Sequence, residues 1–241
     1  MKKNYKFIIL IVSALVLVTV VAFGISGFKD KIEKVNETDA QRFKREYEEF
    51  NGKEVNGMKY TTLEISEKNI IKYVDVHEVE DIFESGDGIV YFGYPSCPWC
   101  RTLVFARGDK AKAAEDAGVD KIYYFDVTGI RSEYKVKDGK LVVEKEGTDE
   151  YRHLLKILDG FLEAYMVKDD KGVEYFTGEN RLYVPYVFFL KDGEVVATHL
   201  DTVKSQENPF KALDEQQYEE LYSIYTDYIH DMLGDLCDER C

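Results

Sequence analysis

The sequence predicts an α/β protein that follows one N-terminal transmembrane helix, and three observations lead to this fold class. A long uncharged apolar run opens the chain. Strand-like and helix-like segments then alternate, which favours an α/β arrangement. A CxxC pair lies where the strongest strand-like segment meets a helix-like one. With 241 residues, of which 45% are hydrophobic, the chain is long enough to bury a substantial core.

The apolar run occupies residues 7–28 and follows Lys2, Lys3 and Lys6. At ~1.5 Å per helical residue it is long enough to cross a ~30 Å hydrocarbon layer. The three lysines favour a cytosolic N-terminus and place the remaining chain outside the membrane, although lysines after the run weaken this asymmetry. The sequence therefore predicts a signal anchor over 1–28. A cleaved secretory signal, cut near residues 22–24, is the open alternative.

The charge balance excludes one class of partner. The chain has 32 Lys plus Arg against 46 Asp plus Glu, and its formal charge is −14. Nucleic acid is therefore not expected as a partner, since phosphates attract basic surfaces. Acidic residues also disfavour binding to anionic lipid surfaces, so the anchor is the expected membrane contact.

Residues 29–57 form a charged segment, in which Phe43, Tyr47 and Phe50 recur at helical spacing before Asn51-Gly52. We expect a short helical stem that acts as a solvated spacer. The folded domain is expected over 58–241.

Within that domain, hydrophobic patterns predict alternating strands and helices. The predicted strands are 60–65, 88–94, 122–127, 182–190 and 194–198, and the predicted helices are 77–84, 101–117, 150–166 and 213–233. Residues 128–181 read as an insertion made of one hairpin, turning at Asp138-Gly139, and one helix.

Cys97 and Cys100 carry the chemistry that the sequence predicts. A CxxC pair at a helix start places the first sulfur near exposed backbone N–H groups, and Arg101 follows one turn later. Both features favour the thiolate of Cys97, which would be the nucleophile, while Cys100 would resolve the mixed disulfide. Pro98 is compatible with a first helical turn. No prosthetic cofactor is needed.

Other interpretations of the cysteines remain open. Zinc could bind CxxC together with Cys237 and Cys241, but 136 residues intervene. A purely structural Cys97–Cys100 disulfide would stabilise little, because the loop is short. Buried reduced thiols are disfavoured outside the cytosol. We expect Cys237 and Cys241 to form an accessory disulfide.

The histidines offer no metal-ligand spacing. They are His77, His153, His199 and His230. Each is expected to be a packing or surface residue, and no metal site is predicted.

The segment YFGYPSCPWC, with the Val184-Pro185 step that opens FFLKDGEVVATH, resembles the thioredoxin-like proteins over about residues 58–233. The resemblance implies a thioredoxin fold with a hairpin-plus-helix insertion before a cis-proline, Pro185. It also implies that Cys97 attacks and Cys100 resolves. Trp99, Val184 and Pro185 would contact the substrate, with the backbone of Val184 bonding to it.

The chain departs from the pattern of thioredoxin at two places. Tyr91 lies where thioredoxin has a buried carboxylate, and the Pro-Trp dipeptide is closer to disulfide-forming, DsbA-like members. The YFG strand before CPxC is also similar to bacteriocin transport accessory proteins. The resemblance implies disulfide formation or isomerisation on protein or peptide thiols, with a membrane redox protein as electron partner. The alternatives are a membrane-tethered thiol reductant and a non-catalytic subunit of a peptide exporter.

Overall fold

The computed structural model describes residues 37–104 and 118–234. Chain contacts divide the protein into two units, Met1–Thr38 and Asp39–Cys241, and every helix and strand given below lies in the second. The predicted anchor, Cys237 and Cys241, and most of the helix predicted over 101–117 lie outside the described residues. Within the described ranges, no helix is both long and apolar enough to cross a membrane.

Five helices and eleven strands make up the described parts of the chain. The helices are α1 (Asp39–Glu48), α2 (Val76–Ser85), α3 (Pro98–Leu103), α4 (Asp149–Ile157) and α5 (Glu215–Leu233). The strands are β1 (Glu54–Val55), β2 (Met58–Lys59), β3 (Ile71–Tyr73), β4 (Gly88–Gly93), β5 (Ile122–Asp126), β6 (Glu133–Lys137), β7 (Lys140–Lys145), β8 (Glu163–Lys168), β9 (Glu174–Arg181), β10 (Tyr186–Lys191) and β11 (Glu194–Leu200).

A five-stranded mixed sheet organises the fold, with strand order β11-β10-β4-β5-β3. Strands β3, β5 and β4 are parallel, whereas β10 is antiparallel to both β4 and β11. The carboxyl ends of the three parallel strands therefore meet at one edge, where β10 begins opposite the end of β4. Three two-stranded hairpins, β1-β2, β6-β7 and β8-β9, accompany this sheet.

The core has one layer on each face of the sheet. Side chains of β4 alternate between the layers, so Ile89 and Tyr91 join one cluster while Val90 and Phe92 join the other. The first cluster takes its helical residues from α1, α3 and α5, and the second takes them from α2 and α4. The protein is thus mixed α/β with helices on both faces, in line with the predicted class.

The prediction of a solvated spacer before the domain is wrong for helix α1. Phe43 and Tyr47 have no exposed surface, and their rings stack with centroids 4.2 Å apart. Phe43 also meets the ring of Tyr124 in β5 edge to face, at 4.9 Å. An aromatic pair at helical spacing gives an otherwise charged helix one apolar stripe, and burial of that stripe makes α1 part of the core.

The prediction of a strand over 60–65 is also wrong. The edge strand of the five-stranded sheet is β3 instead. Leu63 and Ile65 are buried as the alternating pattern requires. Their backbone N–H groups, however, donate to side chains, to Asn51 Oδ1 at 2.9 Å and to Glu48 Oε1 at 2.8 Å. The segment therefore satisfies these N–H groups against the α1 region rather than in a ladder.

The insertion differs from the prediction in its second half. The hairpin at Asp138-Gly139 is confirmed, and both turn residues have positive φ. The helix predicted over 150–166 ends at Ile157, after which Gly160 has φ of 90° and β8 begins. Strand β8 pairs with β9, so the insertion contains two hairpins and one helix.

Candidate functional site

The two cysteines lie at the start of α3, immediately beyond the end of β4. They form a disulfide, and Cys97 is the N-cap residue, whose Sγ accepts a hydrogen bond from the Cys100 N–H at 3.1 Å. Pro98 occupies the first helical turn, where its missing N–H costs nothing. Cys97 retains 3% exposure and Cys100 none, so the two sulfurs are unequal in the order that the sequence predicts.

The Val184-Pro185 step faces these cysteines. Its peptide bond is cis, as the resemblance implies, and Pro185 is buried directly before β10. The carbonyl oxygen of Val184 lies 3.8 Å from Cys97 Sγ, although 87 positions separate the two residues. Antiparallel pairing of Tyr186 with Phe92 causes this approach, because it sets the start of β10 beside the end of β4.

The structure therefore brings together four of the predicted site residues, Cys97, Cys100, Val184 and Pro185. Trp99 lies between the cysteines on α3 and is partly exposed. Its ring is a partly exposed apolar surface beside the disulfide.

The sequence predicts that Arg101 favours the Cys97 thiolate, but its side chain is buried among backbone and side-chain oxygens instead. Its side chain is 1% exposed, and its guanidinium donates to the carbonyl oxygens of Tyr47 and Thr61 and to Asn51 Oδ1. A further, longer bond of 3.4 Å reaches the Pro95 carbonyl. Burial lowers the pKa of this guanidinium. The side-chain hydrogen bonds of Arg101 thus fasten α3 to α1 and to the chain between α1 and β3, and among the described residues none of these side-chain bonds is to Cys97.

Beneath the cysteines lies a cluster of buried tyrosines. The hydroxyl of Tyr47 bonds to those of Tyr91 and Tyr124 at 3.1 and 3.2 Å, and the Tyr91 hydroxyl donates to the Cys100 carbonyl at 3.3 Å. Burial raises the pKa of all three hydroxyls well above the ordinary value. The position that the resemblance compares with a buried carboxylate is therefore Tyr91, whose neutral hydroxyl bonds to the backbone of Cys100.

A carboxylate nevertheless lies near this cluster. Asp126 ends β5 opposite Gly93, is partly buried, and has its pKa raised by burial. Its charge further disfavours ionisation of Tyr91 and Tyr124. The sequence offered one signal for it, an acidic residue at the carboxyl end of an otherwise apolar strand.

Arg131, from the insertion, is a site residue that the sequence analysis missed. Its guanidinium carbon lies 5.0 Å from the ring centroid of Tyr94, just before the CxxC loop. Its Nη1 donates to the Leu182 carbonyl at 3.4 Å, two residues before Val184. Arg131 thus connects the two loops of the site and adds a positive charge beside them. No local pattern marks it, because the tertiary fold alone makes the connection.

Because Gly93 has no side chain, the ring of Tyr91 can pack against its backbone. We expect Gly93→Ala to destabilise the protein by about 1–3 kcal/mol through overpacking. A Cβ at Gly93 would lie 2.7 Å from the Tyr91 hydroxyl and 2.8 Å from Cζ. Urea unfolding of the single variants and of Gly93→Ala/Tyr91→Leu measures their coupling. Equal costs of Gly93→Ala in both backgrounds would contradict this account, because the smaller leucine removes the clash.

Comparison with known proteins identifies no relative, since the chain matches no protein-family model, no curated protein and no solved structure.

Proposed function

We propose that this protein is a thiol-disulfide oxidoreductase of thioredoxin fold that exchanges disulfides with protein or peptide substrates through Cys97 and Cys100. The observation that carries the proposal is the approach of the Cys97 sulfur to the Val184 carbonyl, beside Pro185. One loop supplies a redox-active pair and the other a backbone edge for a substrate strand. The strand order and directions of the central sheet support the thioredoxin fold.

The oxidised protein reacts at Cys97. A substrate thiolate attacks Cys97 Sγ, the Cys97–Cys100 bond breaks, and a substrate–Cys97 disulfide forms while Cys100 leaves as a thiolate. The hydrogen bond from the Cys100 N–H favours charge on Cys97 when that sulfur is in turn the leaving group. The greater exposure of Cys97 favours the same assignment of roles.

A second substrate thiolate completes the exchange. It attacks the substrate sulfur of the mixed disulfide, so the substrate gains its disulfide and Cys97 leaves as a thiolate. Two electrons have then passed to the protein, which holds two reduced cysteines. A disulfide of a membrane redox protein accepts these electrons and regenerates Cys97–Cys100. In isomerisation the electrons return to the substrate, and no partner is needed.

The uncharged run over 7–28 supports a membrane anchor with the catalytic domain outside the cytosol. That location suits disulfide chemistry, which persists in oxidising compartments. The acidic composition supports a protein or peptide substrate rather than nucleic acid.

The reduction potential of Cys97–Cys100 tests the direction of electron flow. We expect about −120 to −200 mV for the full chain in detergent, equilibrated with glutathione mixtures, with Cys237 and Cys241 replaced by serine. Such a value fits a disulfide donor or isomerase. A value at or below about −270 mV would contradict the preferred direction and favour the tethered reductant.

The accessory-subunit alternative makes a different prediction. A protein that uses this fold only as a peptide platform keeps its role when Cys97 and Cys100 are both serine. An oxidoreductase loses it.

A further inference from the structure

We propose that His77, Glu80 and His153 form a divalent metal site, best suited to Zn²⁺, that joins α2 to α4. This site is independent of the disulfide chemistry. Its three side chains offer ligand atoms that all lie within 4.8 Å of one another. Glu80 Oε1 is 3.0 Å from His153 Nε2, and Glu80 Oε2 is 3.9 Å from His77 Nδ1.

The donor set has the composition that zinc selects. Two imidazole nitrogens and one carboxylate oxygen, with water as fourth ligand, form a common three-residue zinc site. Bonds of about 2.0–2.2 Å in a tetrahedron place neighbouring ligand atoms about 3.3–3.5 Å apart. The two distances given above run to different oxygens of Glu80, and the three ligand atoms, one from each residue, lie within 4.8 Å of one another. Metal binding therefore requires these atoms to approach one another by up to about 1.5 Å.

The side chain that must move most is free to do so. His77 is 75% exposed, whereas His153 and Glu80 are about half as exposed. Both helices are fixed near the site by capping residues, Asp75 before α2 and Thr148 before α4. We expect rotations of the His77 ring and the Glu80 carboxylate to close the site while the capped helices keep their positions.

A hydrogen bond between Glu80 and His153 without a metal does not explain why His77 also approaches Glu80. The Glu80–His153 hydrogen bond involves one imidazole. The His77 ring also turns toward the same carboxylate, and the two ring centroids are 5.7 Å apart. Two imidazoles converging on one carboxylate are an arrangement that a cation completes. The formal charge of −14 further favours cation binding.

The position of the site gives it a consequence. Helix α2 packs on the central sheet, and α4 belongs to the insertion, which ends with β8 and β9 shortly before Val184. A metal between the two helices would fasten the insertion to the core. The sequence conceals this site, because 73 positions separate Glu80 from His153.

Zinc binding to the full chain in detergent tests the proposal. Cys97–Cys100 is kept oxidised and the remaining thiols are alkylated, so that sulfur ligands are absent. Calorimetric titration with zinc chloride alone is expected to give one zinc per chain, and zinc is expected to raise the Tm. His77→Gln should weaken binding at least about tenfold and abolish the Tm rise, since a lost ligand costs no less than a lost supporting residue.

Two further variants and a cobalt spectrum distinguish this site from zinc binding elsewhere on the chain. His230→Gln changes an exposed histidine on α5 and should bind zinc as the unaltered protein does. Glu80→Gln keeps an oxygen for His153 but removes the charged ligand, so it should also weaken binding. Cobalt should give the absorption bands of a four-coordinate site. Absence of saturable binding, unchanged affinity of His77→Gln, or the weak bands of six-coordinate cobalt would each overturn the proposal.

Discussion

Replacement of Cys97 by serine is expected to reduce disulfide exchange about a thousandfold or more, to the background rate of the thiols in solution. A serine hydroxyl forms no disulfide, so neither the Cys97–Cys100 bond nor the mixed disulfide with substrate exists in this variant. The measurement is the rate at which a reduced two-cysteine peptide becomes oxidised by the pre-oxidised protein. We propose that Cys97 is the attacked sulfur because it lies beside the Val184 carbonyl.

Cys100→Ser should behave differently from Cys97→Ser. Its Cys97 still attacks a substrate disulfide, but no second sulfur resolves the product, so a mixed disulfide accumulates. Non-reducing electrophoresis should reveal this adduct, and a reducing agent should remove it. Serine at Cys237 and Cys241 serves as a control, with exchange expected to continue. Adducts formed equally by both single variants would contradict the assigned order of attack and resolution.

The elements that sequence reasoning predicts best are those whose local pattern and tertiary role agree. Strand β4, the CxxC turn and the hairpin at Asp192-Gly193 all combine an apolar run with defined turn residues, and the structure contains each of them. Helix α5 begins at Glu215, where the Asp214 side chain caps it. In these segments, propensity, periodicity and burial lead to one conformation.

The wrong predictions share one physical cause. Where a local pattern allows two conformations, contacts with segments distant in sequence decide between them. Residues 163–168 contain apolar positions that fit both a helical stripe and a strand, and pairing with β9 decides in favour of the strand. The charges of α1 suggested a solvated stem. In the fold, however, Tyr47 is buried and its hydroxyl bonds to those of Tyr91 and Tyr124. Arg131 and the His77–Glu80–His153 cluster depend on contacts that no single segment encodes.

Arg101→Ala is expected to lower the free energy of unfolding by about 2–4 kcal/mol. The buried guanidinium supplies four oxygen atoms with charge-assisted bonds, each worth about 1.5–3 kcal/mol. Desolvation of a guanidinium that has no carboxylate partner among the described residues offsets part of this gain. The net loss remains large because alanine removes all four bonds at once, and of its described partners the Tyr47 carbonyl keeps only the Phe50 N–H at 3.3 Å.

Arg101→Lys distinguishes geometry from charge. Nη1 reaches Tyr47 and Pro95 while Nη2 reaches Asn51 and Thr61, and one ammonium cannot span both pairs. We therefore expect lysine to restore less than half of the lost stability.

The sole tryptophan, Trp99, reports on α3 itself, so urea unfolding followed by its fluorescence measures the Arg101 variants directly. Arg45→Ala, which removes a 42% exposed arginine, is the matched control and should change stability by no more than about 0.5 kcal/mol. If Arg101→Ala and Arg45→Ala unfold at the same urea concentration, the buried guanidinium does not hold α3 to the α1 region. If lysine restores full stability, charge alone suffices and the forked geometry has no role. The expected order, with arginine most stable, lysine intermediate and alanine least stable, follows only when both the charge and its two-pronged shape are required.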